Sequence, residues 1–303
     1  MIDTAQIKYT FSGHESFQCR TLWLKKGYDY ISLGKSFSDE DAVVLLGVGK
    51  NMVGSIRFWL KAFNIITAKD EITEFGRRLL NDDGWDPYLE DKASLWLLHY
   101  QLVKNNFAST YSILFNEFRR ERIEFTRESF VSYMRRRSEV EKAFQFNQNT
   151  IEADFDVFRK MYLSNQEESK GTEDSYSGIL CDLNLVKTFR KERIEWHEGK
   201  EKKIKYDAYY IENRERDDLP SEVFLYAILD NTQYGDAISL LKLDQSYNSP
   251  ASIFGLSRAG LMDKINEITR ERGISFVDHA GIKELQFKPK PNPLTVLNRY
   301  YEG

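Results

Sequence analysis

The sequence predicts a mainly α protein of the α+β class: an N-terminal winged helix-turn-helix, a helical middle region and a smaller mixed C-terminal domain. Three observations predict it. A helix, a glycine turn, a second helix and a short hairpin follow one another between Ser38 and Leu80. Apolar residues at helical spacing dominate from Lys92 to Arg137. Strand-like and helix-like stretches mix only after the polar run "SNQEESKGTEDS", Ser164 to Ser175, which reads as a linker. The expected segments are 1–90, 91–165 and 176–303, the middle one holding a possible second helix-turn-helix.

In the first segment, "SFSDEDAVVLLGVGKNMVGSIRFWLKAFNIITAKDEITEFGRRLL" carries the most information. Ser38 is expected to cap a helix with Asp39, Glu40 and Asp41 in its first turn, ending at Gly47. "GVG" makes a tight turn with Val48 packed inside it and a positive φ at Gly47 or Gly49. The next helix runs from about Lys50 to Phe63, with Val53, Ile56, Leu60 and Phe63 on one face. Lys50, Gly54, Arg57 and Lys61 fall on another, and Asn51 to Phe63 contains no acid. That is the pattern of a recognition helix, one face held by the domain and the other offering cations to phosphates and base edges. "IITAKDEITEF" reads as two short strands around a turn, a wing with Lys69 at its tip; Arg77 and Arg78 extend the basic patch. The plainer alternative is a solvated basic face on an ordinary amphipathic helix.

The middle segment reads as helices over "KASLWLLHYQLVKNN", "STYSILFNEFRRE" and "TRESFVSYMRRR". Arg119 to Arg137 holds seven arginines against three acids, and Arg135, Arg136 and Arg137 fan around a helix end. They suit either phosphate contact or a solvated face. In "NQNTIEADFDVFRKMYL", Asn149 is a cap candidate and Ile151, Phe155, Phe158 and Tyr162 form an apolar stripe. Glu152, Asp154 and Asp156 repel phosphates, which favours packing over DNA reading for that helix. In the last segment "IKYDAYYI" and "GISFVDH" read as strands, "PSEVFLYAILD" and "SRAGLMDKINEITRER" as helices, with Pro220 in a first turn.

Composition narrows the function classes. The 303 residues are 30% charged and 14% aromatic, which is globular rather than disordered. A net charge of -4 leaves polyanion binding to local patches. Two distant cysteines, Cys19 and Cys181, argue against a disulfide framework and a cysteine-rich zinc site. "MIDTAQIKYTF" lacks a long apolar core and no run reaches membrane length, so a cytoplasmic protein without membrane contact is expected.

Candidate catalytic groups are few. No phosphate-binding glycine-lysine loop, His-Glu-x-x-His helix or dinucleotide fingerprint occurs. The acids Asp82, Asp83, Asp86, Glu90 and Asp91 suit a hard divalent cation or a solvated loop. His14-Glu15, after the turn-like "SG", is either a chemical pair or a structural corner packed against Trp23.

Together "FSGHESF", "WLKKG", "SDEDAVVLLGVGKNMVGSIRFW", "DDGWDPYLED", "LWLLHYQL", "NTIEADFDVF" and "EDSYSGILCDLNL" resemble the SspB-like family of bacterial single-strand DNA phosphorothioation systems. The resemblance is strongest from Phe11 to Leu102 and thins after Leu185. It implies a bacterial defence system of restriction-modification type that replaces a non-bridging phosphate oxygen with sulfur. It also implies double-stranded DNA as a partner, alongside a cysteine desulfurase, an ATPase and a PAPS-reductase-like sulfur-transfer protein, and leaves room for a homodimer. The implied activity is DNA nicking with a divalent cation, Mg or Mn. The matching positions include His14, Glu15, Gly47, Gly49, Lys50, Asn51, Arg57, Asp83, Trp85, Asp86 and Glu90. From these, His14 and Glu15 are the candidate catalytic pair and Asp83 and Asp86 the candidate metal carboxylates. The DNA-binding set is Lys50, Asn51, Arg57, Lys61, Lys69, Arg77, Arg135 and Arg136. Glu152 departs from the basic character of relatives near "NTIEAD". The alternatives are a non-catalytic assembly subunit that recruits the sulfur-transfer enzymes, and a winged-helix transcriptional regulator.

Overall fold

A computed structural model describes residues 8–142, 144–164, 177–197, 200–279 and 281–303. From residue 165 onward the expected linker lies outside them.

The chain opens with a loop and α1 (Trp23–Ser32), followed by α2 (Ala42–Leu46), α3 (Lys50–Ala62) and α4 (Glu74–Leu80). Ser38 does not cap α2. The Asp39 carboxylate turns back to accept from the Ser36 N–H at 2.8 Å, and α2 begins only at Ala42. The expected wing is a single antiparallel bridge, Ile66 to Ile72, rather than two strands. Asp70 sits between them in a left-handed turn.

Next come α5 (Lys92–Asn105) and α6 (Ser109–Ile113), the latter running through a π-helical turn (Leu114–Phe118) into α7 (Arg119–Glu121). Two residues of strand, β1 (Glu124–Phe125), precede α8 (Arg127–Glu141) and α9 (Gln148–Tyr162). The arginine-rich stretch is thus divided between two helices, as the sequence predicts. Asn147, not Asn149, caps α9, accepting from the Thr150 N–H at 3.0 Å. The α9 stripe Ile151, Phe155, Phe158 and Tyr162 is buried as its spacing requires.

A long hairpin, β2 (Val186–His197) and β3 (Lys200–Ile211), leads to α10 (Ser221–Leu229). Pro220 is the residue before this helix rather than part of its first turn. The chain ends with β4 (Ala237–Ser239), α11 (Leu240–Gln245), α12 (Pro250–Phe254), α13 (Arg258–Ile268), β5 (Ile274–His279), β6 (Ile282–Phe287) and α14 (Pro293–Glu302). The two small sheets are antiparallel, ordered β1-β3-β2 and β4-β6-β5, so the protein is α+β and mainly α.

One continuous apolar core runs from Cys19 to Leu297 and takes residues from all three expected segments. Tyr30, Ala42, Leu46 and Val53 form a separate small cluster under the first helices, with Phe37 and Val48 against it. The end of the chain returns to the beginning. Asn298 on α14 accepts from Arg78 and from the Trp85 indole, and Tyr301 stacks on Trp85 with ring centroids 5.3 Å apart. Among the described residues no helix is long and apolar enough to cross a membrane.

Candidate nucleic-acid interface

The site is built on α3. Its apolar face, Val53, Ile56, Leu60 and Phe63, is buried against α1 and the core. Close approach of α1 depends on Gly27, where a Cβ would lie 2.6 Å from Leu60 Cδ1 and 2.7 Å from Ile56 Cγ2. Gly47 closes α2 at φ 64°, Val48 folds into the small cluster, and Gly49 enters α3 in extended backbone at φ -66°. The turn therefore places the first residues of α3 at the surface. Lys50 and Asn51 are exposed there, with no ion pair or hydrogen-bond partner for either side chain among the described residues.

Farther along the same face the stripe is not free. The Asp70 carboxylate, at the hairpin turn, accepts two hydrogen bonds from Arg57: Nε to Oδ1 at 3.0 Å and Nη2 to Oδ2 at 2.6 Å. Lys61 Nζ lies 2.9 Å from Asp70 Oδ1 and also donates to the Ala68 carbonyl at 3.0 Å. Partial burial alone would raise the Asp70 pKa, but hydrogen bonds from Arg57 and Lys61 outweigh it and hold the carboxyl below its ordinary range. Two cations thus share one anion, and a single net charge remains for a ligand. Asp70 lies outside the acid-free stretch Asn51 to Phe63. The available signal was the hairpin, which starts too close after α3 to avoid folding back on it. Lys69 and Arg77 are exposed without ion-pair partners among the described residues.

Beside α3 lies the "GHES" corner. Ser12, Gly13, Glu15 and Ser16 all have positive φ, at 68°, 90°, 48° and 65°. Three of these are not glycine, so the segment holds strain that its surroundings must offset. His14 supplies much of that restraint. It is 3% exposed, stacks on Trp59 with centroids 6.0 Å apart and meets the edge of Phe58. The Ser16 N–H donates to Nδ1 at 3.2 Å, which leaves the ring proton on Nε2 to donate to Asp154 Oδ1 at 2.9 Å. Asp154 also accepts from the Ser12 N–H and the Thr110 hydroxyl, both at 2.9 Å. The sequence marks Asp154 only as an acid that repels phosphates; its role as a buried acceptor had no local signal, because its partners are 44 to 142 residues away.

Glu15 has the opposite surroundings. It is exposed, and its Cγ lies 3.9 Å from where a Gly54 Cβ would stand, so the open place in the basic stripe has an acid beside it.

Asp83 and Asp86 lie in the loop between α4 and α5. Asp86 is buried, and its two oxygens accept from the Glu90 and Asp91 N–H groups and from the Ser94 hydroxyl, at 3.0, 2.9 and 2.6 Å. Asp83 is hydrogen-bonded by Asn81. Among the described residues His14 and Asp86 share no hydrogen-bond partner. Both oxygens of Asp86 are thus engaged, and no group of three His, Cys, Asp or Glu side chains among the described residues is placed to hold a metal ion.

The second arginine set is also committed. Arg137 is buried between Glu117, Glu141 and the Tyr9 hydroxyl. Arg136 pairs with Glu121 at 2.7 Å, and Arg135 donates to the Gln148 side-chain oxygen at 2.8 Å while lying over Phe146.

A model of a family described as "Protein of unknown function (DUF4007)" matches residues 11–301. Two crystal structures of SspB, one of them magnesium ion-bound, share this fold with a TM-score of 0.79 and 27% sequence identity, covering 97% of this chain and 88% of each SspB chain. No curated protein matches it.

Proposed function

This chain belongs to the DUF4007 family, and on its likeness to SspB we propose that it is the DNA-binding component of a DNA phosphorothioation system, with double-stranded DNA as its ligand and sulfur-transfer proteins as its partners. In this reading α2, the Gly47–Gly49 turn, α3 and the 66–72 hairpin act as a winged helix-turn-helix. The observation that carries it is the exposed start of α3. Lys50 and Asn51 stand unpaired there, above a helix whose other face is locked into the core. Lys69 on the hairpin adds a backbone contact, and Arg57 and Lys61 contribute the one net charge left after Asp70. The test is a duplex-binding titration against salt. Lys50→Ala should weaken all sequences alike and flatten the salt slope by about one unit. An unchanged slope in Lys50→Ala removes the start of α3 from the interface, and an unchanged slope in Lys69→Ala removes the hairpin.

A second reading, strand nicking, is favoured by the strained corner that presents Glu15 beside α3. The magnesium ion in one SspB structure is consistent with it. Here Glu15 is the catalytic carboxylate next to the held phosphate, and His14 is the residue that positions it. Supercoiled plasmid tests this directly. Nicking that is lost in Glu15→Gln, with DNA affinity and melting temperature retained, supports it. Intact plasmid with wild-type protein and Mg or Mn leaves the binding role alone.

A further inference from the structure

The β2–β3 hairpin is longer than its sheet. β1 pairs with β3 only at Tyr209 and Tyr210, so outward of those residues the ribbon has two strands and no third. Seven residues on each strand, 190–196 and 201–207, extend past the sheet, a reach of about 23 Å at strand rise. None of these fourteen is buried. An isolated two-stranded ribbon is marginal in water, yet this one exposes Trp196 at 70% and Ile194 at 56%.

Charge suggests what covers it. The whole chain carries -4, but side chains at 186–196 and 201–211 include seven cations (Lys187, Arg190, Lys191, Arg193, Lys202, Lys203, Lys205) and four acids (Glu192, Glu195, Glu201, Asp207). Toward the base the charges pair: Arg190 with Asp207, Lys205 with Glu192, Arg193 with Glu195, and Lys191 with Glu124. Farther out, Lys202 and Lys203 pair with no carboxylate among the described residues. The register sets Lys203 opposite Ile194 and Lys202 opposite Glu195, so the two lysines stand on opposite faces of the ribbon.

We propose that this ribbon is a second DNA-contacting arm, separate from α3, which grips the phosphate backbone of a duplex with Lys202 and Lys203 and packs Trp196 and Ile194 against the groove wall. A DNA major groove is about 12 Å wide and admits a two-stranded ribbon. Cations on both faces suit a body with phosphates on either side. A protein surface of one sign on one side does not require that arrangement. The proposal takes its ligand from the DNA-binding reading above.

Anisotropy of a labelled duplex, titrated against salt, tests it with the full chain. Relative to wild type, the Lys202→Ala/Lys203→Ala double variant should bind about tenfold more weakly, with a salt slope shallower by about two units. Trp196→Ala should weaken binding with the slope retained. Both should melt within about 1 °C of wild type, as exposed substitutions away from special features usually do. Wild-type protein that binds no duplex overturns the DNA reading and this arm with it. Wild-type binding that is weakened by Lys50→Ala, but matched by both ribbon variants, overturns the arm alone. If the ribbon variants instead turn a DNA-free dimer into a monomer and bind DNA like wild type, the occupant is a second copy and the proposal is wrong.

Discussion

Across 140 residues of chain, His14 Nε2 donates to Asp154 Oδ1 at 2.9 Å, joining the strained "GHES" corner to α9. Removing the imidazole leaves a buried carboxylate short of a donor and uncovers Trp59. His14→Ala should therefore lower stability by about 2–4 kcal/mol, as expected for losing a buried hydrogen bond to a charged group plus a ring contact. A double-mutant cycle with Asp154→Asn should give a coupling above about 1 kcal/mol. Additive effects in urea denaturation would mean that the pair does not hold the corner.

The grip of Asp70 on Arg57 and Lys61 makes an opposite kind of prediction. Asp70→Asn releases two cations onto the α3 face. Duplex affinity at low salt should rise several-fold and the salt slope should steepen by about one unit. If that variant binds more weakly with the same salt dependence, the hairpin geometry matters and the released charge does not.

The two turn glycines should respond differently although only Val48 separates them. Gly47 has open space around its Cβ position but φ is 64°, so Gly47→Ala should cost about 1–2 kcal/mol through backbone strain alone. Gly49 precedes α3 in extended backbone, also with open space. Gly49→Ser should be neutral or stabilise by a few tenths of a kcal/mol as a helix cap, roughly. Thermal melts of both variants decide; equal losses would show that the turn tolerates no side chain at either place.

His99 sets a pH dependence. Its Nε2–H donates to the Ile253 carbonyl and its Nδ1 accepts from the Tyr162 hydroxyl, both at 2.7 Å. Burial, opposed by the carbonyl bond and aided by Arg216 and Arg119, pushes its pKa from 6.5 down to about 3. The unfolded chain therefore takes up a proton near pH 6.5 that the folded chain refuses until about pH 3. Stability from this group is complete above pH 6.5 and falls as pH drops, by about 2 kcal/mol between pH 6.5 and 5. Urea midpoints at the two pH values should show the loss, and His99→Gln should show less of it. A pH profile identical in the two proteins would refute the assignment.

How much was legible in the sequence depended on how far away the answers lay. The buried face of α3 followed from Val53, Ile56, Leu60 and Phe63, because helical spacing is local. So did the left-handed φ within "GVG" and the packing stripe of α9. Ser38 failed as a cap because α2 begins only at Ala42, four residues on, and the stretch before it closes in turns of its own, Asp39 bonding the Ser36 N–H. The acids around Asp86 suited either a cation or a solvated loop. Their spacing to Glu90, Asp91 and Ser94 also fits a carboxylate used up by its own following turn, and that reading needs only local chemistry. Pairings such as His14 with Asp154 had no such trace, since only the folded core brings those segments together.

The return of α14 to Trp85 has a consequence for how the protein is made. A chain leaving the ribosome can form α1 to α5 early, but the Trp85 ring and the Arg78 side chain then wait for Asn298 and Tyr301, more than 200 residues later. Contacts closed over so long a loop come late and slowly. A nascent N-terminal half therefore carries an uncovered aromatic face through most of synthesis. A nonsense codon just before Pro293 should be felt there, at the loop 82–91, as an early proteolytic nick far upstream of the cut.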